Sequence, residues 1–152
     1  MPGYDYSQNG AYFVTICTKD RKCVLSKINA PVGAVIGRPP SVRLLNYGDV
    51  VNDAIIGIQE HYSGVFVDKY VIMPNHIHLI IIIDRTSGRP MTAPTLSWII
   101  NQFKGIVAKR IGHSIWQRSY YEHVIRNDKD YLAAWQYIDG NPAKWADDEY
   151  YN

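Results

Sequence analysis

Two apolar, strand-forming runs separated by only two residues constrain the fold of this chain more than any other feature. Residues 65–73 read VFVDKYVIM, residues 76–83 read HIHLIIII, and Pro74-Asn75 lies between them. β-branched and aromatic residues favour strands, whereas proline interrupts the hydrogen-bonded ladder. A two-residue connection can join antiparallel strands but not parallel ones, which need a long crossover. The sequence therefore predicts an antiparallel pair within a larger sheet.

The rest of the chain alternates between strand and helix patterns. The patterns predict strands over 11–18 and 120–125, and helices over 46–62, 96–111 and 128–140. Residues 23–25 are predicted to begin a short return strand. Residues 30–43 contain three prolines and two glycines, which indicates a loop or insertion extending to about residue 45. This order favours an α+β fold of ferredoxin-like type, an antiparallel sheet with helices on one face.

Length and composition indicate one globular domain over residues 1–152. The hydrophobic fraction is 47% and the charged fraction 20%, and no apolar run approaches the ~20 residues of a membrane helix. The N-terminus has neither the basic nor the apolar region of a signal peptide, so we expect a soluble, cytoplasmic protein. In that compartment the two cysteines, Cys17 and Cys23, are expected to be reduced.

Positive charge is concentrated in residues 85–129, which carry eight basic and two acidic residues, a net charge of +6. Clustered cations can neutralise phosphates, and aromatic residues among them suit stacking on unpaired bases. A solvated basic face and ordinary core aromatics explain the same pattern. The candidate DNA contacts in this segment are Lys104, Lys109, Arg110, Arg118 and Arg126.

The histidine strand carries the most informative motif, Met73-Pro74-Asn75-His76-Ile77-His78-Leu79. Because residues two apart on a strand face the same side, His76 and His78 project together. Paired imidazoles are typical metal ligands, although two such histidines can also share a face by accident. A third ligand and a reactive group must come from another element.

The last predicted helix offers both, because Tyr137 and Asn141 are four residues apart and share one helix face. The oxygen of an asparagine suits Mg²⁺ or Mn²⁺, and a tyrosine beside a metal-bound phosphate could act as a nucleophile. The chain contains twelve tyrosines, so spacing alone is a weak argument. Tyr131 is the main rival, and its position about 240° around the helix from Tyr137 places it on a different face.

Two segments resemble a known family. The run MPNHIHLI resembles the His-hydrophobe-His (HUH) signature of single-tyrosine transposases. The run IWQRSYYEHVIRNDKDYLAAWQYIDGNP, Ile115–Pro142, resembles the C-terminal signature of the REP-associated tyrosine transposases, relatives of the transposases of small bacterial insertion sequences. The resemblance covers most of the chain, whereas residues 30–43 lie outside the pattern.

This resemblance implies an HUH nuclease fold, a five-stranded antiparallel sheet with flanking helices. It implies that His76 and His78 bind a divalent metal, Mg²⁺ or Mn²⁺, that Asn141 supplies a third ligand, and that Tyr137 is the nucleophile. The implied activity is cleavage and strand transfer of single-stranded DNA, often beside a hairpin, through a 5′-phosphotyrosine intermediate. Family members commonly act as homodimers, and some relatives are monomers.

Three functions remain open from the sequence. The first is the metal-dependent transposase just described. The second is a non-catalytic protein that binds single-stranded or hairpin DNA through the basic segment. The third is a metal-dependent hydrolase in which water attacks the phosphate. Only the first leaves DNA covalently attached to the protein. In that mechanism Tyr137 must lose its proton, and Lys129 and Glu122 are possible neighbours that could assist.

Overall fold

The computed structural model describes residues 9–29, 41–84 and 94–147. The strands are β1 (Gly10–Cys17), β2 (Ser26–Asn29), β3 (Ser41–Leu44), β4 (Val65–Ile72), β5 (His76–Ile83) and β6 (Tyr121–Val124). The helices are α1 (Asn46–His61), α2 (Leu96–Ile111) and α3 (Asp128–Gly140). Single 3₁₀ segments follow β1 and α3, at Lys19–Arg21 and Pro142–Asp147.

The main sheet is antiparallel throughout, with strand order β4-β5-β1-β6. The predicted pairing of β4 with β5 across Pro74-Asn75 is confirmed. Strand β1 lies between β5 and β6, so that Thr15 is directly opposite both His78 and Tyr121. The fold is α+β, as predicted, and four of the expected strands form this sheet in the described part of the chain.

Helices cover both faces of the sheet, which corrects the expectation of helices on one face. Helices α1 and α2 pack on the face that receives Ile77, Leu79 and other odd-numbered residues of β5, and together they form the larger core. Helix α3 packs on the opposite face, where Ile80 and Ile82 contribute to a smaller cluster. A sheet of this type has two faces to bury, and the apolar residues of β5 on both of its faces require a cover on each.

The segment between β1 and α1 differs from its prediction at two points. The return strand, predicted to begin at residues 23–25, begins at Ser26 and ends at Asn29. Leu25 precedes it, fully buried, and its N–H donates to the carbonyl of Pro74. Residues 41–44 form β3, which pairs with β2 in a separate two-stranded sheet. Residues 30–40 lie outside the described residues.

Helix boundaries follow the capping signals in the sequence. The Thr95 hydroxyl accepts a hydrogen bond from the N–H of Trp98 at the start of α2, and Gly112 ends that helix with a positive φ of 105°. Asn127 caps α3 by accepting from the N–H of Asp130. None of these helices combines the length and apolarity needed to cross a membrane. Neither Cys17 nor Cys23 is in a disulfide.

Candidate active site

The two histidines of β5 face α3 and meet at their ring nitrogens. His76 and His78 are fully buried, with exposed fractions of 0% and 1%. Their Nε2 atoms are 3.0 Å apart, a distance at which one ring can donate a hydrogen bond to the other. Two nitrogens that bind one ion at right angles, each about 2.1 Å from it, are separated by about this distance. The pair therefore has the spacing of two adjacent ligands of one metal ion.

Hydrogen bonds at the other ring nitrogen orient each imidazole. The Nδ1 atom of His76 is 2.8 Å from Oδ1 of Asn75, whose Nδ2 donates to the carbonyl of Arg21. An amide oxygen can only accept, so Nδ1 of His76 carries the proton and its Nε2 is left as a lone pair. The Nδ1 atom of His78 is likewise 2.8 Å from Oγ1 of Thr15 on β1. Such outer contacts are typical of metal-binding histidines.

Burial keeps both imidazoles neutral at physiological pH. It lowers the pKa of His76 to about 4, and the charge of Arg21 adds to this effect. Burial also lowers the pKa of His78, to about 2, and the neighbouring His76 contributes in the same direction. Asn141 acts in the opposite sense, because its side chain favours the protonated form of both rings. Neutral imidazole is the form that binds metal ions.

Asn141 places its side-chain amide beside the two rings. Its side chain is 3% exposed and its Nδ2 donates to the carbonyl of Tyr137 at 3.2 Å. Its Oδ1 is buried and makes no hydrogen bond of standard geometry within the described residues. Leaving a buried carbonyl oxygen without a partner costs about 1–3 kcal/mol. A cation beside the imidazoles would satisfy this atom, so the residues present fit a metal ion.

The donor set restricts the kind of ion. Across the described ranges, no three His, Cys, Asp or Glu side chains cluster in a way that could hold a metal. Two imidazoles and one amide oxygen are therefore the donors available here. Imidazole suits transition metals and amide oxygen suits hard cations, so this mixed set favours Mn²⁺ and accommodates Mg²⁺.

Tyr137 lies against the histidine pair, on the solvent side. Its ring centroid is 5.2 Å from that of His78 and 5.8 Å from that of Phe13, with both pairs edge to face. The side chain is 44% exposed. Tyr137 lies in the last turn of α3 and Asn141 follows the last residue of that helix, four residues further along. The structure thus brings together the four candidate site residues of the sequence, and their roles remain predictions.

The rival tyrosines occupy other environments. The Tyr131 hydroxyl donates a short hydrogen bond to Asp68. Burial, this hydrogen bond and the Asp68 charge together raise the pKa of Tyr131 to about 12, which disfavours the nucleophilic phenolate. Tyr120 precedes β6 and its hydroxyl is 3.1 Å from that of Ser97. Tyr121 is 56% exposed on the edge strand and its ring contacts Phe13.

A bulge in β4 fixes the position of α3. The register between β4 and β5 shifts between Val67 and Lys69. A bulge breaks the strict alternation of side chains along a strand, so two consecutive side chains can project toward the same element. Here Asp68 accepts from Tyr131, and Lys69 pairs with Asp139 at 2.8 Å while its ammonium lies 3.8 Å from the ring of Trp135. We name the residues of this contact, Asp68, Lys69, Tyr131, Trp135 and Asp139, the α3 clamp.

The predicted DNA-binding cations fall into two groups. The ammonium of Lys104 donates to the carbonyls of Gln117, Arg118 and Ser119, and burial lowers its pKa. These bonds use all three of its donors, which favours a structural role in holding the loop before β6. The other four cations are exposed, at the end of α2, in that loop and before α3. They are Lys109, Arg110, Arg118 and Arg126.

Sequence reasoning missed the residues that orient the histidines. Asn75 directly precedes the pair, so its place in the turn was the available signal. Thr15 and Phe13 come from β1, and only the strand register brings them to His78. No local pattern in the sequence reveals that register.

Two proteins of Haemophilus influenzae are similar to this chain over most of its length, and no family model matches it. One, described as an uncharacterized protein, is 34% identical over an alignment of 168 residues that covers 97% of this chain and 88% of that protein. The other is named "Putative REP-associated tyrosine transposase" and is 27% identical over 151 residues, covering 92% of this chain and 74% of its own.

Two solved structures share the fold. A REP-associated tyrosine transposase bound to a REP hairpin matches with a TM-score of 0.63 and 23% identity, covering 95% of this chain and 74% of that one. A protein from Deinococcus radiodurans, described as a "putative transposase", matches with a TM-score of 0.52 and 18% identity, covering 92% and 95%. The chain is therefore similar in sequence to a protein named as a putative REP-associated tyrosine transposase, and it shares its fold with a solved REP-associated tyrosine transposase.

Proposed function

We propose that this chain is a metal-dependent single-stranded DNA endonuclease and strand transferase that cuts beside DNA hairpins through a covalent 5′-phosphotyrosine intermediate on Tyr137. One observation carries the proposal: the exposed Tyr137 packs against His78, whose Nε2 meets that of His76. The buried Oδ1 of Asn141, which makes no hydrogen bond of standard geometry with the described residues and directly follows α3, supports it. The hairpin bound in the structure of a relative suggests the class of substrate.

The chemistry is an exchange of phosphodiesters. The Tyr137 oxygen attacks the phosphorus, its proton passes to solvent or to a nearby base, and the bond from phosphorus to the 3′-oxygen breaks. The 3′-oxygen takes up a proton and leaves as a hydroxyl, while the 5′ side of the cut stays on the tyrosine. A 3′-hydroxyl of another strand reverses the step, so transfer needs no ATP because one phosphodiester replaces another.

His76, His78 and Asn141 would hold the divalent cation, Mn²⁺ or Mg²⁺. When bound, such an ion withdraws charge from the scissile phosphate and orients it. Asn75 and Thr15 keep the two Nε2 atoms turned to one point, which preorganises the donors. The packing of Tyr137 on His78 holds the nucleophile beside that point, since proximity of reacting groups contributes much of the rate of such reactions.

A binding protein without catalysis is the alternative function. It would use the exposed cations Lys109, Arg110, Arg118 and Arg126 for phosphate contacts and leave the histidine pair idle. A tyrosine turned away from the histidines would favour it. The edge-to-face contact of Tyr137 with His78 favours the enzyme instead.

A covalent-trapping experiment separates the candidate functions. Purified protein is incubated with Mn²⁺ or with EDTA and a pool of labelled DNA hairpins that have randomised single-stranded flanks. The proposal predicts a denaturant-resistant, protease-sensitive adduct that carries the downstream DNA and forms only with the metal. Free cut strands without an adduct would indicate a hydrolase, and retention of uncut DNA alone would indicate a binding protein.

A further inference from the structure

A cavity of about 550 Å³ lies between α3 and the sheet, directly beside the exposed face of Tyr137. Its walls come from three strands and one helix. They are Phe13 and Thr15 of β1, His78 of β5, Tyr121 and His123 of β6, and Asp130, Ala133, Ala134 and Tyr137 of α3.

The backbone explains why a space remains here. On the sheet side, Phe13 pairs directly with His123 across β1 and β6, so both side chains project to the same face. On the helix side, Asp130, Tyr137 and the two alanines between them follow the spacing of one helical stripe. The two alanines have short side chains, and the cavity lies beside them.

The cavity has aromatic walls and an open edge. The ring centroids of Phe13 and Tyr121 are 6.5 Å apart, and Tyr121 is 56% exposed. Strand β6 forms an edge of the described sheet, and all four of its residues are exposed. A chain that passes over this edge can insert one flat group between helix and sheet. Stacking on aromatic rings is how proteins bind unpaired bases, whatever their sequence.

One wall of the cavity carries a fixed hydrogen-bond acceptor. The Oδ2 atom of Asp130 accepts from the N–H of Arg126 at 3.4 Å and lies 3.7 Å from Nε2 of His123. Both contacts use the same oxygen. Oδ1 of Asp130 makes no hydrogen bond or ion pair with the residues that the structure describes, so it is available to a ligand.

We infer that this cavity binds one unpaired DNA base next to the cut phosphate, and that Asp130 selects a base with an exocyclic amino group over thymine. The inference rests on the proposed function, because Tyr137 and His78 line the same cavity and place a nucleotide at its mouth. Cytosine, adenine and guanine offer amino donors to a carboxylate. Thymine has a single N–H between two carbonyl oxygens, and these oxygens repel a carboxylate.

Selection from a DNA pool tests the inference even though the recognised DNA site is not known. Hairpins with randomised stems and flanks are retained on the protein in EDTA, so that no cutting occurs, and the bound DNA is sequenced. The wild-type protein is expected to enrich a motif in which thymine is depleted about tenfold at one flanking position, a typical size for a base-edge contact.

Two variants connect that position to the cavity. Asp130→Asn keeps an oxygen that can accept from the N–H of Arg126 but adds an amide donor, so thymine should return at that position while the rest of the motif persists. Tyr121→Ala removes the exposed ring, and affinity for the selected hairpin should fall about tenfold, the loss expected of one stacked base.

The inference is overturned if every flanking position tolerates thymine, if bound DNA shows no motif, or if Asp130→Asn leaves the depletion unchanged. These binding results are independent of covalent trapping. A protein that forms the adduct without a thymine-depleted position keeps the proposed function and loses the base site. A protein that depletes thymine but forms no adduct keeps the base site and loses the proposed function.

Discussion

The two faces of β5 lie in different environments, one apolar and one polar. Ile77 and Leu79 enter an apolar core shared with α1 and α2. His76 and His78 alternate with them and face α3, beside Asn141 and the exposed Tyr137. Because alternation separates the faces, one eight-residue strand contributes to the core on one side and presents the candidate site residues on the other.

The two helical layers differ in the same way. Helix α2 buries five side chains, whereas α3 buries one, Ile138. A helix with so little buried surface depends on specific contacts for its position, and here the α3 clamp provides them. Stability and activity should therefore respond to different substitutions, even between adjacent residues.

The largest expected effect is on the polar face. His78→Leu keeps a side chain of similar volume but removes a metal donor, and metal assistance of phosphoryl chemistry accounts for several kcal/mol. Adduct formation should fall about a thousandfold or more, while the melting temperature stays near that of the wild type. Quantified adduct yield and thermal unfolding check both parts. Normal cutting by this variant would remove His78 from the site.

The neighbouring residue on the apolar face should give the opposite result. Leu79→Ala opens a cavity in the core and should lower the free energy of unfolding by about 2–5 kcal/mol. At a temperature where the variant is still folded, its adduct yield per folded molecule should match that of the wild type. Denaturant unfolding and trapping at low temperature measure the two quantities. Loss of activity in a folded Leu79→Ala protein would mean that the two faces are not independent.

Acid should destabilise the folded protein through the histidine pair. In the unfolded chain both histidines have a pKa near 6.5, and in the fold the pKa of His76 is about 4 and that of His78 is lower. The unfolded state therefore binds more protons below pH 6.5, and stability should fall as the pH drops from about 6.5 to 4.

Denaturant unfolding in EDTA across that pH range measures this slope. The control is the double variant with His76→Leu and His78→Leu, which should show a flatter dependence. An equal slope in both proteins would place the acid sensitivity elsewhere.

The smallest expected effect concerns the α3 clamp. Lys69→Met removes an ion pair whose Asp139 side chain is 59% exposed, so stability should change by no more than about 1 kcal/mol. Adduct formation should nevertheless slow several-fold at saturating DNA, since α3 then holds Tyr137 less firmly. Lys69→Arg keeps the charge and should restore the rate. A Lys69→Met protein with the wild-type rate would show that the clamp does not position Tyr137.

Local patterns in the sequence predicted the strands and helices whose boundaries are encoded by nearby residues. Strand β5 and helix α2 have the predicted bounds, because alternation, the Thr95 cap and Gly112 are all encoded locally. The shared face of the two histidines follows from the period of a strand. Their meeting with Tyr137 was inferred from the family resemblance and not from spacing.

The remaining features depend on long-range packing. No local pattern shows that α3 covers the face opposite α1 and α2, or that Thr15 lies opposite His78. The bulge that brings Asp68 and Lys69 to the same helix could not be predicted, because the sequence of β4 has the pattern of a regular strand. Lys104 was predicted to be a DNA contact because the sequence does not reveal its three carbonyl partners. These partners come together only when the loop before β6 folds.

The central claim is that Tyr137, and no other tyrosine, attacks the phosphate beside the histidine pair. The most direct measurement is to form the adduct with wild-type protein and Mn²⁺, digest it, and identify the modified peptide by mass spectrometry. The DNA should be attached to Tyr137, Tyr137→Phe should abolish the adduct, and Tyr131→Phe and Tyr121→Phe should retain it. An adduct that persists in Tyr137→Phe, or one mapped to another residue, would contradict this claim.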